Sequence, residues 1–189
     1  MDIRHTLLSL FGSLYGDSSD ALVVEELGLC QGESRIDVAV INGSIHGYEI
    51  KSERDTLDRL PIQQNYYNRT LDYVTIVSAE KHIPEIKNMV PHWWGIQIAR
   101  YSSDNVVIED FRSAKKNPDL DPGALVQLLW RDEAISALRE RGLQKGVLGK
   151  PRTVAWERLV DRLSIEELKQ VVRDCLKSRS GWRLDQQQA

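Results

Sequence analysis

The sequence predicts an α/β domain with a mixed sheet, followed by a helical C-terminal region. Three observations predict it. Alternating and β-branched segments lie between helical apolar patterns over residues 1–111. An Asn-Gly pair joins two of those strands. Beyond the turn-rich stretch 117–123 (Asn-Pro-Asp-Leu-Asp-Pro-Gly) the pattern becomes helical throughout.

Each element follows from its residues. Ile3, Leu7, Leu10 and Leu14 have helical spacing. With Asp2 ahead of them and no small-residue cleavage pattern after them, they read as a core-facing helix and not as a signal peptide. A polar turn over 16–20 leads into a strand over 21–27, and a turn over 31–34 into a second strand carrying Ile36, Val38 and Val40. Asn42-Gly43, two residues that tolerate positive φ, predicts a tight hairpin, with 44–51 as the returning strand. Leu57, Leu60, Tyr67 and Leu71 mark a helix whose start Pro61 places near Arg59-Leu60. Residues 73–78, rich in β-branched side chains, predict a buried strand. A short helix over 82–89 and strands over 94–99 and 106–111 complete the sheet. Helices are predicted over 124–141, 153–163 and 164–177, the last opened by a capping box of Ser164 and Glu167. This gives a sheet domain over 1–117 and a helical region over 118–189, ending in the low-complexity Gln186-Gln187-Gln188.

Composition narrows the classes. Hydrophobic residues at 41% and charged residues at 28% support a packed core and exclude a disordered chain. The net charge of -3 hides an asymmetry: residues 1–111 carry -8 and residues 112–189 carry +5. An acidic front half beside a basic back half suits a metal site next to a phosphate-binding surface. Charge alone describes an Arg-rich helical surface equally well. Cys30 and Cys175 stand far apart, which excludes a zinc or disulfide framework and points to reduced thiols in the cytoplasm. No apolar run is long enough to span a bilayer, so no membrane partner is expected. The four histidines lack metal-ligand spacing, and residues 146–150 fall short of a phosphate loop because Gln144 and Pro151 replace its first glycine and its Ser/Thr.

The informative segment is Arg35-Ile36-Asp37 followed, one hairpin later, by Glu49-Ile50-Lys51. Residues two apart on a strand share a face, so Glu49 and Lys51 lie side by side. Pairing through the Asn42-Gly43 turn brings Asp37 to the same end of the hairpin. Two carboxylates offer a hard cation the oxygen ligands it prefers, and a neighbouring ammonium can orient water and neutralise developing charge. The plainer reading of Glu49-Ile50-Lys51 is a solvated strand face with an ion pair.

With its acid on one strand and acid-any-lysine on the next, inside a predicted αβββαβ order, the chain resembles the PD-(D/E)xK nuclease superfamily. Ile36 stands where the name-giving proline would be. The segments Arg-Ile-Asp-Val-Ala-Val-Ile, Gly-Tyr-Glu-Ile-Lys-Ser, Asp-Thr-Leu-Asp-Arg-Leu-Pro-Ile-Gln and Pro-His-Trp-Trp-Gly-Ile are similar to a little-characterised family of small bacterial and phage proteins within it. The resemblance implies a restriction-endonuclease-like fold and a metal-dependent nuclease, acting on DNA more than RNA. It implies Asp37 and Glu49 as ligands of Mg²⁺ or Mn²⁺, with Ile50 and Glu26 in the ligand set and Lys51 as the catalytic lysine. Of the adjacent Glu25 and Glu26, strand alternation lets only one face the site, and the family's acid before a Leu-Gly pair favours Glu26. Gln63 and Tyr67, four apart on one helix face, resemble a Gln-then-Tyr element that lies beside the active site in RecB-like members. Gln63 is expected to help catalysis, and Arg59 and Tyr67 to touch substrate. Core packing is the plainer role for one of Tyr66 and Tyr67. Apolar positions of the helical region, among them Leu128, Leu129, Trp130, Leu138, Leu159 and Leu163, are expected to pack on the sheet or form a homodimer. Two rival readings keep the fold without the chemistry: a nucleic-acid-binding scaffold, and a protein-interaction or regulatory module with Trp93 and Trp94 on its surface.

Overall fold

The computed structural model describes residues 2–16, 18, 20–102 and 105–179. Asp17 and Ser19 of the predicted polar turn, and the Gln186-Gln187-Gln188 segment, lie outside the described residues.

The chain runs α1 (Ile3–Tyr15), β1 (Leu22–Leu29), β2 (Ser34–Ile41), β3 (Ile45–Lys51), α2 (Leu60–Thr70), β4 (Tyr73–Ala79), α3 (Ile83–Met89), β5 (Gly95–Tyr101) and β6 (Val106–Arg112). Four helices follow: α4 (Pro122–Leu125), α5 (Arg131–Glu140), α6 (Arg152–Arg162) and α7 (Ile165–Ser178). The strands form one six-stranded sheet in sequence order. β1–β2, β2–β3 and β5–β6 are antiparallel, while β3–β4 and β4–β5 are parallel. Parallel neighbours need crossovers, and α2 and α3 supply them. The mixed α/β sheet and the helical C-terminal region are as predicted.

Three local expectations are corrected. In α1 the buried stripe is Ile3, Leu7 and Phe11, whereas Leu10 and Leu14 are 43% and 61% exposed. The helix crosses a corner of the sheet against Val38, Val40, Val77, Ala99 and Val106, and an i, i+4 stripe fits that crossing. The β2–β3 hairpin has three turn residues, not two, with neither Asn42 nor Gly43 at positive φ. The Asn42 side chain closes it by accepting the Ser44 N–H at 3.1 Å. The single helix predicted over 124–141 is broken at Leu129 and Trp130, both extended. There the Glu133 carboxylate accepts the Trp130 N–H at 2.7 Å and starts α5 afresh. The capping box of Ser164 and Glu167 opens α7 as predicted.

The sheet's other face carries α2 and the C-terminal helices in one continuous hydrophobic cluster, from Val24 and Ile36 through Tyr67 and Trp94 to Leu138, Leu159 and Val172. The composition break near 117 therefore lies inside a shared core. Asn117 donates to the carbonyls of Asn68 (2.6 Å) and Leu71 (2.8 Å), and Asp121 pairs with Arg69. Deeper in, Lys169 of α7 meets Asp72 at 2.9 Å, both side chains at least nine-tenths buried, and Asp72 also accepts the Ile45 N–H. Removing one partner strands a buried charge, so Lys169→Met is expected to cost about 3–5 kcal/mol in urea unfolding. A loss below about 1 kcal/mol would mean that the pair does not fasten the helical region to the sheet.

Candidate active site

β2 and β3 are paired from Ile41/Ile45 to Val38/Tyr48 and then part. Asp37 is the first residue past that point. Where β3 loses its neighbour, the Asp37 carboxylate takes the place of a strand, Oδ2 accepting the Ile50 N–H at 2.8 Å. The divergence has a visible origin. On β2, Ala39 and Ile41 face the main core and Val38 and Val40 face α1, yet Ile36 also faces the main core. Alternation slips at Asp37. On β1 it slips at the cross-strand position: Leu22 and Val24, then Leu27 and Leu29, share the main-core face, and Glu26 between them has φ 54°. A non-glycine residue there stores strain of order 1 kcal/mol.

On the α2 side, Glu49 and Lys51 lie adjacent as strand periodicity requires, Nζ and Oε1 2.8 Å apart with the side chains 2% and 9% exposed. Gln63, on the facing turn of α2, ties both down. Its Oε1 accepts from Lys51 Nζ at 3.0 Å and its Nε2 donates to Glu49 Oε1 at 2.7 Å and to the Tyr67 hydroxyl at 3.2 Å. The Tyr67 hydroxyl sits 2.6 Å from Glu49 Oε2 and 2.8 Å from the Arg35 carbonyl, with one proton to donate between them. Buried against these groups, its own acidity is strongly suppressed.

Asp37 is half-buried. Burial and then the Glu49 carboxylate push its pKa up to about 6, against the pull of the Ile50 N–H and Arg4. Arg4 was not anticipated from the sequence. From α1 its guanidinium reaches Asp37 Oδ1 (2.7 Å), Glu26 Oε1 (2.5 Å) and Glu25 Oε2 (3.8 Å). The only hint is its place as the one Lys or Arg in α1, next to the buried Ile3.

The structure thus brings Glu49, Lys51, Gln63 and Tyr67 into one network and sets Asp37 in its electrostatic field. Ile50 contributes its N–H to Asp37, leaving its carbonyl as the only oxygen it could offer a cation. Two expectations change. Tyr67 is 0% exposed, so it holds Glu49 and does not form substrate-contacting surface. The positive φ at Glu26 breaks simple alternation, so Glu25 and Glu26 both reach Arg4. Arg59, exposed at the start of α2, lies one turn before Gln63, whose N–H it accepts. Trp94 is fully buried with its indole N–H on Asn68, and Trp93 packs on the core beside it. Arg152, the first residue of α6, is taken up by Trp156 and Gln31.

Asp37, Glu49 and the Ile50 carbonyl are oxygen donors of the kind a hard divalent cation takes. Glu49 is already engaged through Oε1 by Lys51 and Gln63 and through Oε2 by Tyr67, and its charge raises the Asp37 pKa. In the present arrangement Arg4 supplies positive charge at Asp37. Among the described residues no group of three or more His, Cys, Asp and Glu side chains comes together around one point, so carboxylate donors there number two, with Glu26 held by Arg4.

Residues 2–186 match the family described as bacteriophage P4 protein cII. The chain belongs to that family. Protein cII of Enterobacteria phage P4 is 26% identical over 164 residues, covering 87% of this chain. This cII-family chain spans 61% of that relative's length. Among solved structures, a protein of unknown function from Silicibacter pomeroyi is 21% identical, with 69% of this chain and 86% of the other covered at a TM-score of 0.41. Among the described residues no helix is long and apolar enough to cross a membrane.

Proposed function

We propose that this chain is a metal-dependent nuclease on a restriction-endonuclease-like scaffold, hydrolysing phosphodiester bonds in DNA more than in RNA. The names of its relatives state no activity, so the reading rests on the site. The observation that supports it is the buried Glu49–Lys51 pair, fixed by Gln63 and Tyr67 beside Asp37 at the parting of two strands. A buried ion pair is expensive to desolvate; Lys169–Asp72 is one that fastens helix to sheet, and what sets Glu49–Lys51 apart is Gln63 bonded to both members beside Asp37. Metal-assisted phosphodiester hydrolysis gains from an ammonium held still beside oxygen ligands.

In this reading Asp37, Glu49 and the Ile50 carbonyl would hold Mg²⁺ or Mn²⁺, which when bound would activate water and offset charge on a phosphoryl oxygen. Lys51 orients the attacking water and offsets charge on the phosphoryl group. Gln63 fixes the Lys51 ammonium and Glu49 in one geometry, and Tyr67 holds the far oxygen of Glu49. Arg59, exposed at the start of α2, meets a phosphate in this reading. Asp37 must be ionised to hold a cation, so cation binding and cleavage weaken as pH falls through about 6. The free thiols Cys30 and Cys175 accord with a reducing cytoplasm. Whether two chains pair is read from the mass by light scattering.

The test is incubation with supercoiled, linear duplex and single-stranded DNA in Mg²⁺, Mn²⁺ or EDTA. Cleavage in either metal and none in EDTA is expected. Intact substrates in every metal condition would overturn the reading.

A further inference from the structure

We propose that the cavity between α1 and β1 is a nucleobase subsite that takes one unpaired base of a single-stranded nucleic acid. The proposal rests on the nuclease reading and names the form of its substrate. The cavity has a volume of about 620 Å³, within the range of about 300–1,000 Å³ typical of pockets for small organic groups. Its lining is mixed: Leu8, Phe11, Tyr15 and Val23 are apolar or aromatic, and Glu25, Glu26 and Arg35 are charged. Phe11 backs the half-buried Tyr15 at 6.2 Å and is itself braced by Tyr48 at 4.8 Å, so the ring surface is rigid. That combination suits a base: a flat face to stack on, with an acceptor and a donor at its edge.

The position of the cavity relates it to the site. Glu26 lines it and pairs with Arg4, which holds Asp37. Arg35 also lines it, and its carbonyl accepts from Tyr67, the residue that holds Glu49. Glu26 and Arg35 thus join the cavity to the residues of the site, and in the proposal the phosphate adjoining a seated base runs toward Arg4 and Asp37. A base within a duplex cannot enter without leaving its stack and its pair, whereas a single strand offers its bases freely. Glu25 can accept from an exocyclic amine, which cytosine and adenine carry and thymine lacks.

Gly12 gives independent support. It is a mid-helix glycine, a choice that weakens a helix, and a Cβ built on it would meet no atom within 4 Å. Gly12 lines the cavity, so Gly12→Leu adds bulk at that wall, with its Cβ in open space.

The experiment uses the full chain in EDTA, where cleavage is not expected, and single-stranded oligonucleotides carrying one 2-aminopurine, read by fluorescence. Cytosine-rich oligonucleotides are expected to bind more tightly than oligothymidine. Gly12→Leu is expected to weaken single-strand binding by about tenfold, and Tyr15→Ala by a similar factor. Circular dichroism and Mn²⁺ binding should stay at wild-type levels in both variants. Binding by both variants within about twofold of wild type, or a wild-type chain that binds no single strand, would overturn the subsite. Mn²⁺ binding and metal-dependent cleavage of DNA by the wild-type chain separate the two readings: with both retained, such a result removes the subsite and leaves the nuclease standing.

Discussion

Lys51→Met is expected to lower metal-dependent cleavage by about 10²–10³-fold, the scale on which removal of one preorganised charge-stabilising group acts. The geometry explains why so much is at stake in one ammonium. Lys51 Nζ is held between Glu49 Oε1 at 2.8 Å and Gln63 Oε1 at 3.0 Å, with its side chain almost wholly out of water. It has no reorientation to complete when charge develops on the phosphoryl group. Its burial also means that the substitution is felt by the fold. Glu49 would keep its hydrogen bonds from Gln63 and Tyr67 but lose its counter-charge, and breaking such a pair costs about 3–5 kcal/mol. Methionine retains the length and volume of the lysine stem, so packing changes least. Single-turnover rates below the new melting transition, beside circular dichroism, separate lost chemistry from lost structure. A folded variant with the wild-type rate would assign the catalysis elsewhere.

Asp37→Asn is expected to act in opposite directions on function and stability. Asparagine can still accept the Ile50 N–H but brings no charge to a cation, so Mn²⁺ binding and cleavage should disappear. Stability should rise. The Asp37 carboxyl is held at about 6 in the fold against an ordinary 3.8. Between those values the folded chain binds more protons than the unfolded one, so stability falls as pH rises through the window. Above about pH 6 the full penalty of the charged carboxylate is present, up to about 3 kcal/mol by that difference in pKa. The neutral isostere escapes that penalty, in which the pull of Arg4 is already included, so a net gain of up to about 3 kcal/mol at pH 7.5 is expected in metal-free unfolding, vanishing near pH 4. An unchanged or lowered stability at pH 7.5 would mean that the Asp37 carboxylate is not strained by burial and Glu49.

Much of the site is legible in the sequence because its spacing is local. Asp37, Glu49 and Lys51 are separated by one hairpin, and Gln63 and Tyr67 by one helical turn, so strand and helix periodicity alone bring them near. Pro61 fixes the start of α2, and β-branched residues mark β4. Arg4 was not legible, because its partners lie more than twenty residues away and nothing local to α1 announces them. The slip of alternation at Glu26 and Asp37 is hidden for another reason. It depends on one positive φ at a glutamate, and a strict period-2 reading assigns the wrong faces on either side of it. In α1, Leu10 and Leu14 offered a second apolar stripe as regular as Phe11's, and only the crossing over the sheet chooses between them. The break at Trp130 rests on Glu133 and on Arg179, which stacks on Trp130 and donates to the Leu128 carbonyl from 51 residues downstream.

Asp37 and Glu49 together are expected to form a cation site. Mn²⁺ titration of the wild-type chain at pH 7.5, followed by electron paramagnetic resonance beside the Asp37→Asn variant, reads that directly. Mn²⁺ bound by the wild type and lost in the variant is the predicted result. No bound Mn²⁺ in the wild type, or equal binding in both proteins, would contradict it.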